Sequence, residues 1–121
     1  DLHVEVPRLK YEEMARESNS EKSKTVRERV AKARQIQLSR FTNDGILTNQ
    51  EMSVRHIKKY CSLDKTAEKK MKKAVSSMGF STRTYHRLLK ISRTIADLDG
   101  SENIKPDHLG EALQYRPREE V

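Results

Sequence analysis

Three cations at the start of one predicted helix define the chemistry this sequence could do. In the run Ser81-Thr82-Arg83-Thr84-Tyr85-His86-Arg87-Leu88-Leu89-Lys90, positions 83, 87 and 90 fall at i, i+4 and i+7. At ~100° per residue, that spacing places Arg83, Arg87 and Lys90 on one side of a helix. They lie near its amino end, where backbone N–H groups lack partners and the macrodipole is already positive. Cations there oppose the dipole by about 0.3–1 kcal/mol each. An anion would remove the conflict, and phosphate suits the amino end of a helix well. Acidic neighbours, such as Asp97 or groups on another domain, would remove it too. Side-chain chemistry alone leaves both readings open.

Other chemistries are poorly supplied. The chain has no Gly-rich phosphate loop and no Lys in a G-K-[ST] context. Its one cysteine, Cys61, rules out a zinc-binding Cys pair or a disulfide within the chain and fits a reducing, cytoplasmic setting. Without a local His or cationic cluster, Cys61 reads as a small core residue rather than a nucleophile. His3, His56, His86 and His108 lie far apart and never pair at i,i+4. They read as surface groups or satisfied hydrogen-bond partners, and no metal site is expected. A second basic feature is the row Lys65, Lys69, Lys72 and Lys73 on one side of another predicted helix. A helix that packs on one side must solvate the other, so the ordinary reading is a solvated face. The alternative is contact with DNA.

With 34% hydrophobic and 36% charged residues over 121 positions, the chain can build one domain with a modest core. The net charge of +7 permits contact with nucleic acid without demanding it. Divided at residue 60, the halves hold 13 Lys+Arg against 9 Asp+Glu and 12 against 9, so there is no basic tail. No apolar run approaches the ~20 residues of a membrane span, and no signal peptide is visible, so no membrane partner is expected.

The elements that must position the cations read as an all-α fold: a small bundle of four helices plus a short fifth. Leu2 to Val6 alternate apolar and polar residues, and Pro7 ends the pattern. A lone strand is not stable in water, so residues 1–7 read as an orphan strand from an upstream sheet. Residues 8–23 are polar and read as a linker. The helical domain is expected over 24–116, with a frayed tail at 117–121. Helix one is predicted over Lys24–Phe41, with Ser23 as N-cap and Val26, Val30, Ala33 and Phe41 as its stripe. Helix two is predicted over Gln50–Tyr60, with Asn49 as N-cap and Val54, Ile57 and Cys61 buried. Helix three follows Asp64 and stops at Gly79, burying Leu63, Ala67, Met71, Ala74, Val75 and Met78. Helix four starts after Ser81 and ends near Gly100, with Tyr85, Leu88, Ile91, Ile95 and Leu98 as its stripe. Helix five opens on Pro106, with Ile104 and Leu109 spaced as a hydrophobic staple.

The stretch Ser81 to Glu102, with His108-Leu109-Gly110-Glu111-Ala112-Leu113-Gln114-Tyr115-Arg116, resembles the C-terminal domain of bacterial magnesium-chelatase-like AAA+ ATPases, most closely the YifB/ComM group linked to natural competence. Three other stretches match in the same order: Asp1 to Pro7; Arg27-Glu28-Arg29-Val30 with Ala33-Arg34 and Gln37; and Asn49 to Met52 leading into Tyr60-Cys61-Ser62-Leu63-Asp64. The resemblance covers nearly the whole chain and is most specific in the fourth helix.

That resemblance implies a setting and a set of roles. Residues 1–7 are expected to be the last strand of an upstream ATPase core, and the domain itself a lid. The nucleotide-binding loop and the magnesium-binding acidic motif would lie upstream. This fragment is therefore not expected to be an enzyme alone, while its parent would be an ATPase using ATP with Mg2+. Arg83 matches the sensor-2 arginine that contacts the terminal phosphates of ATP, with Arg87 as the runner-up and Lys90 beside them. Expected partners are the upstream core, neighbouring subunits in a hexameric ring and DNA. The implied role is a cytoplasmic, bacterial DNA-handling motor in natural transformation. Two other classes remain: an autonomous helical DNA-binding module using Lys65, Lys69, Lys72 and Lys73, and a purely structural oligomerisation domain.

Overall fold

A computed structural model describes residues 2–4 and 22–116, and its regular elements there are helical. They are α1 (Ser23–Arg40), a 3-10 turn (Asn49–Glu51), α2 (Val54–Tyr60), α3 (Lys65–Met78), α4 (Thr82–Leu98) and α5 (Pro106–Gln114). The all-α expectation holds, and no strand forms among the described residues. The predicted strand and linker fall mostly outside those residues, as does the 117–121 tail. Of the strand, Leu2–Val4 is described, and the His3 N–H donates to the Tyr115 carbonyl at 3.0 Å. That bond satisfies an orphan carbonyl at the carboxyl end of α5.

Local chemistry explains most helix limits. The Asp64 carboxylate accepts the Ala67 N–H at 2.7 Å and starts α3. Gly79 ends it with φ of 62°, a left-handed conformation that glycine adopts without steric cost. The Ser81 hydroxyl accepts the Thr84 N–H at 3.2 Å and starts α4. Pro106 opens α5, and Ile104 and Leu109 on either side of that start are fully buried, as a hydrophobic staple requires.

Two starts differ from expectation. Ser23 is the first residue of α1 rather than its cap; Lys22 holds the cap position and makes no side-chain cap bond. Asn49 does not cap α2. Instead the Glu51 carboxylate accepts the Leu47 and Thr48 N–H groups, both at 2.8 Å, which winds Asn49–Glu51 into the 3-10 turn. The α-helix then begins afresh after Ser53, whose N–H donates to His56 Nδ1 at 3.1 Å.

Helix α4 is the centre of the bundle. It packs against α1, α2, α5 and the 3-10 turn, while α3 packs against α5. The core gathers Phe41, Met52, Ile57, Cys61, Met71, Leu88, Leu89, Ala96, Ile104, Leu109 and Ala112. Phe41 meets Tyr60 edge to face at 5.4 Å, a favoured aromatic geometry. Three predicted stripes shift. Val26 and Val30 are exposed because α1 contributes only Ala33 and Gln37, with Phe41 just beyond, to the interior, and residues 22–32 lie outside it. Val54 is exposed at the restarted amino end of α2. In α4 the buried face is Leu88, Leu89, Ser92, Arg93, Ala96 and Asp97. Of the predicted stripe only Leu88 is fully inside; Tyr85, Ile91 and Ile95 are half-buried and Leu98 is exposed.

That rotation of α4 is anchored by a buried ionic network. The Asp97 carboxylate is fully enclosed and accepts both terminal nitrogens of Arg40, one at 2.9 Å. It also accepts Arg93 Nε at 3.2 Å and Asn49 Nδ2 at 2.9 Å. Asn49 in turn donates to Thr94 Oγ1 at 3.0 Å, and its backbone N–H donates to Gln37 Oε1 at 3.1 Å. Arg93 directs its terminal nitrogens to the Glu102 and Ser101 carbonyls at 2.8 and 2.7 Å. One carboxylate thus ties α1, the 3-10 turn, α4 and the α4–α5 loop together. Such a charge is tolerated inside because every partner is hydrogen-bonded.

Candidate functional site

The predicted cations share a stripe of α4 with Thr94 and Asp97, about two to four turns closer to the amino end than the Asp97 network. Arg83, Arg87 and Lys90 share one wall of an open groove of about 1070 Å³, with Ile91, Ile95 and Leu98 continuing along the same helix. The i, i+4, i+7 spacing therefore brings the three cations together as the sequence predicts. Glu111 and Tyr115 of α5, Gln50 of the 3-10 turn and Leu2 complete the lining. The groove is cationic at the amino end of α4 and apolar toward its carboxyl end.

The three cations are held differently. Arg83 is exposed, and its side chain makes no hydrogen bond or ion pair among the described residues. Arg87 is half-buried one turn on. Lys90 is half-buried and donates to the Gln50 carbonyl at 2.9 Å, which keeps two more ammonium donors. The first turn of α4 contains no acidic residue. Asp97, one acid that could have neutralised these cations, lies about two to four turns further along α4 and is committed to Arg40, Arg93 and Asn49. The groove can therefore accept an anion at its cationic end, where a planar guanidinium offers five donors to phosphate oxygens.

The remaining candidates lie elsewhere. Lys65, Lys69, Lys72 and Lys73 are all exposed on α3 and do not line the groove. Burial pushes the Cys61 thiol up to about 11, which makes it an inert core group as the sequence suggests. His108 is a satisfied hydrogen-bond partner: its Nδ1 accepts the Lys105 N–H at 3.0 Å and its Nε2 lies 2.8 Å from Asp99. With Nδ1 accepting, Nε2 carries a ring proton and donates to Asp99. The bond from His108 holds the Asp99 carboxyl below its usual value. No cluster of three or more His, Cys, Asp or Glu residues forms among the described residues.

Sequence reasoning missed Arg40, Asn49, Arg93 and Asp97 as the set that orients α4, and Gln50, Glu111 and Tyr115 as groove walls. Their polar types read as surface, and no local spacing marks a buried polar residue. No described helix is long and apolar enough to cross a membrane.

Comparison with known proteins agrees with this architecture. The family model described as "Magnesium chelatase, subunit ChlI C-terminal" matches residues 20–116. Competence protein ComM of Haemophilus influenzae is 40% identical over 96% of this chain. The uncharacterized protein YifB of Salmonella typhimurium is 36% identical over 82% of the chain, and that of Escherichia coli 36% over 79%. The chain spans 22%, 19% and 18% of those relatives, about a fifth of their length. The helical bundle around α4 thus belongs to the family of magnesium chelatase ChlI C-terminal domains, of the ComM/YifB type.

Proposed function

We propose that this domain is the lid of a magnesium-chelatase-like AAA+ ATPase and that Arg83 is its phosphate-contacting sensor. The observation that carries the reading is the state of Arg83: exposed, uncompensated by any described carboxylate, and placed at the cationic end of the α4 groove. A permanently charged guanidinium in that position stabilises charge on a transferring phosphoryl group. Arg87 supports it one turn on, and Lys90 braces the wall through Gln50. The nucleotide, with Mg2+, would be held by the core of the full-length protein, in the same subunit or the next one in a ring. The apolar end of the groove offers that core a packing surface. The name of one relative, a competence protein, favours a cytoplasmic motor acting on DNA during natural transformation.

The test is Arg83→Ala in the full-length protein, read as steady-state ATP turnover. We expect a fall of at least about tenfold, equivalent to about 1.4 kcal/mol of lost transition-state stabilisation. The same substitution in the 121-residue chain should leave its melting temperature unchanged, because the Arg83 side chain makes no hydrogen bond or ion pair among the described residues. Unchanged turnover would remove Arg83 from the role.

A further inference from the structure

The charge of this chain is not spread as halving it suggests. From Val54 to Met78, the span of α2 and α3, there are eight Lys and Arg against two Asp and Glu. The rest of the chain holds 17 against 16, so this span carries +6 of the net +7. The excess is concentrated further on one face. Lys65, Lys69, Lys72 and Lys73 fall within an arc of about 100° on α3, with the Ser76 hydroxyl among them. All five residues are exposed. One carboxylate answers them: Glu68 lies 3.5 Å from Lys72, and both are largely in solvent, where such a pair contributes little. Lys65, Lys69 and Lys73 make no side-chain hydrogen bond or ion pair among the described residues.

We infer that this face of α3 is a contact surface for the phosphate backbone of nucleic acid. From Lys65 to Lys73 the row runs about 12 Å along the helix axis. Duplex DNA offers a phosphate about every 3.4 Å per strand, so the row spans three to four phosphates. The apolar side of α3, namely Ala67, Met71 and Ala74, is buried in the bundle. A lipid surface would have no apolar face to take up, which sets α3 apart from interfacial membrane helices. The face carries no aromatic side chain for stacking on bases and no Asn or Gln for reading their edges. Contact is therefore with the backbone and independent of sequence. The inference rests on charge and exposure, and stands whether or not Arg83 touches a nucleotide.

The experiment is fluorescence anisotropy of a labelled, mixed-sequence DNA duplex titrated with the 121-residue chain at several salt concentrations. Three to four neutralised phosphates predict a log–log salt slope of about −2.7 to −3.6, a loss of about 40- to 150-fold in affinity between 50 and 200 mM salt. The combined variant Lys65→Gln, Lys69→Gln, Lys72→Gln, Lys73→Gln should abolish that slope while keeping its helical circular dichroism. A matched variant, Lys22→Gln, Lys24→Gln, Lys32→Gln, Arg34→Gln, removes the same charge from exposed positions around α1 and should leave the slope unchanged. Absence of binding at low salt overturns the proposal. So does equal weakening by both variants, or tighter binding to polyglutamate or to phosphatidylserine vesicles than to duplex at equal charge. In the full-length protein the α3 variant should keep ATP turnover measured without DNA. Failure here and failure of the Arg83 reading are therefore separable.

Discussion

Removing the Asp97 carboxylate should unseat α4. In Asp97→Ala, Arg40 and Arg93 stay behind with side chains 12% and 5% exposed, and Asn49 Nδ2 loses an acceptor. Deleting one partner of a buried ion pair costs about 3–5 kcal/mol, because the charge left behind has no compensation. A domain of this size has about 5–14 kcal/mol of total stability at 0.05–0.15 kcal/mol per residue. The substitution thus removes about a fifth of that stability or more. Urea unfolding of the 121-residue chain, followed by helical circular dichroism, measures it directly. The midpoint should fall with the slope unchanged, and the melting temperature should drop by roughly 12–40 °C at 4–8 °C per kcal/mol. Asp97→Asn keeps one acceptor oxygen and should cost less than the alanine. A loss below about 1 kcal/mol for Asp97→Ala would show that apolar contacts alone set the rotation of α4, and the ionic network would lose its anchoring role.

Two further outcomes rest on backbone geometry. Gly79→Ala should destabilise by about 1–2 kcal/mol, because its φ of 62° is strained for any residue with a Cβ although nothing crowds the site. Gly110→Ala should stabilise by about 0.5–1 kcal/mol in the same urea assay: the helix gains a better former, and the one close contact, Lys70 Nζ at 2.7 Å, is the mobile end of an exposed side chain. Asp99 supplies a pH signature with a defined sign. Its carboxyl lies below the ordinary 3.8 because His108 donates to it. Its contribution is therefore fully present above that value and lost as pH falls through the lowered one. Asp99→Asn should flatten the acid limb of stability against pH below about pH 4 and leave the neutral region with the same slope.

The helix count, the α3 and α4 limits and the cation row were legible because each rests on local rules. Asp64 and Ser81 act through bonds to residues within one turn, and Gly79 and Pro106 through their own backbone conformations, so their effect can be read from the chain itself. The i, i+4, i+7 spacing of Arg83, Arg87 and Lys90 fixes their common side wherever the helix is placed. The failures have the opposite character. Val26 and Val30 repeat at helical spacing, yet spacing cannot say whether a partner element lies opposite, and α1 meets none there among the described residues. The buried side of α4 differs from the apolar stripe because Ser92, Arg93 and Asp97 are polar types that hydrophobic spacing leaves out.

What the chain determined alone is therefore a set of helices, their caps and a cationic edge on the fourth. Tertiary structure decided which way that edge faces. Asp97 is a surface residue by composition and an interior one by virtue of Arg40 and Asn49, which lie 57 and 48 positions away. A charge enters a core only when distant partners satisfy all its bonds, and no local window contains that information. With Asp97 committed to those partners, Arg83, about four turns earlier on the same helix, stays exposed with no described carboxylate to answer it.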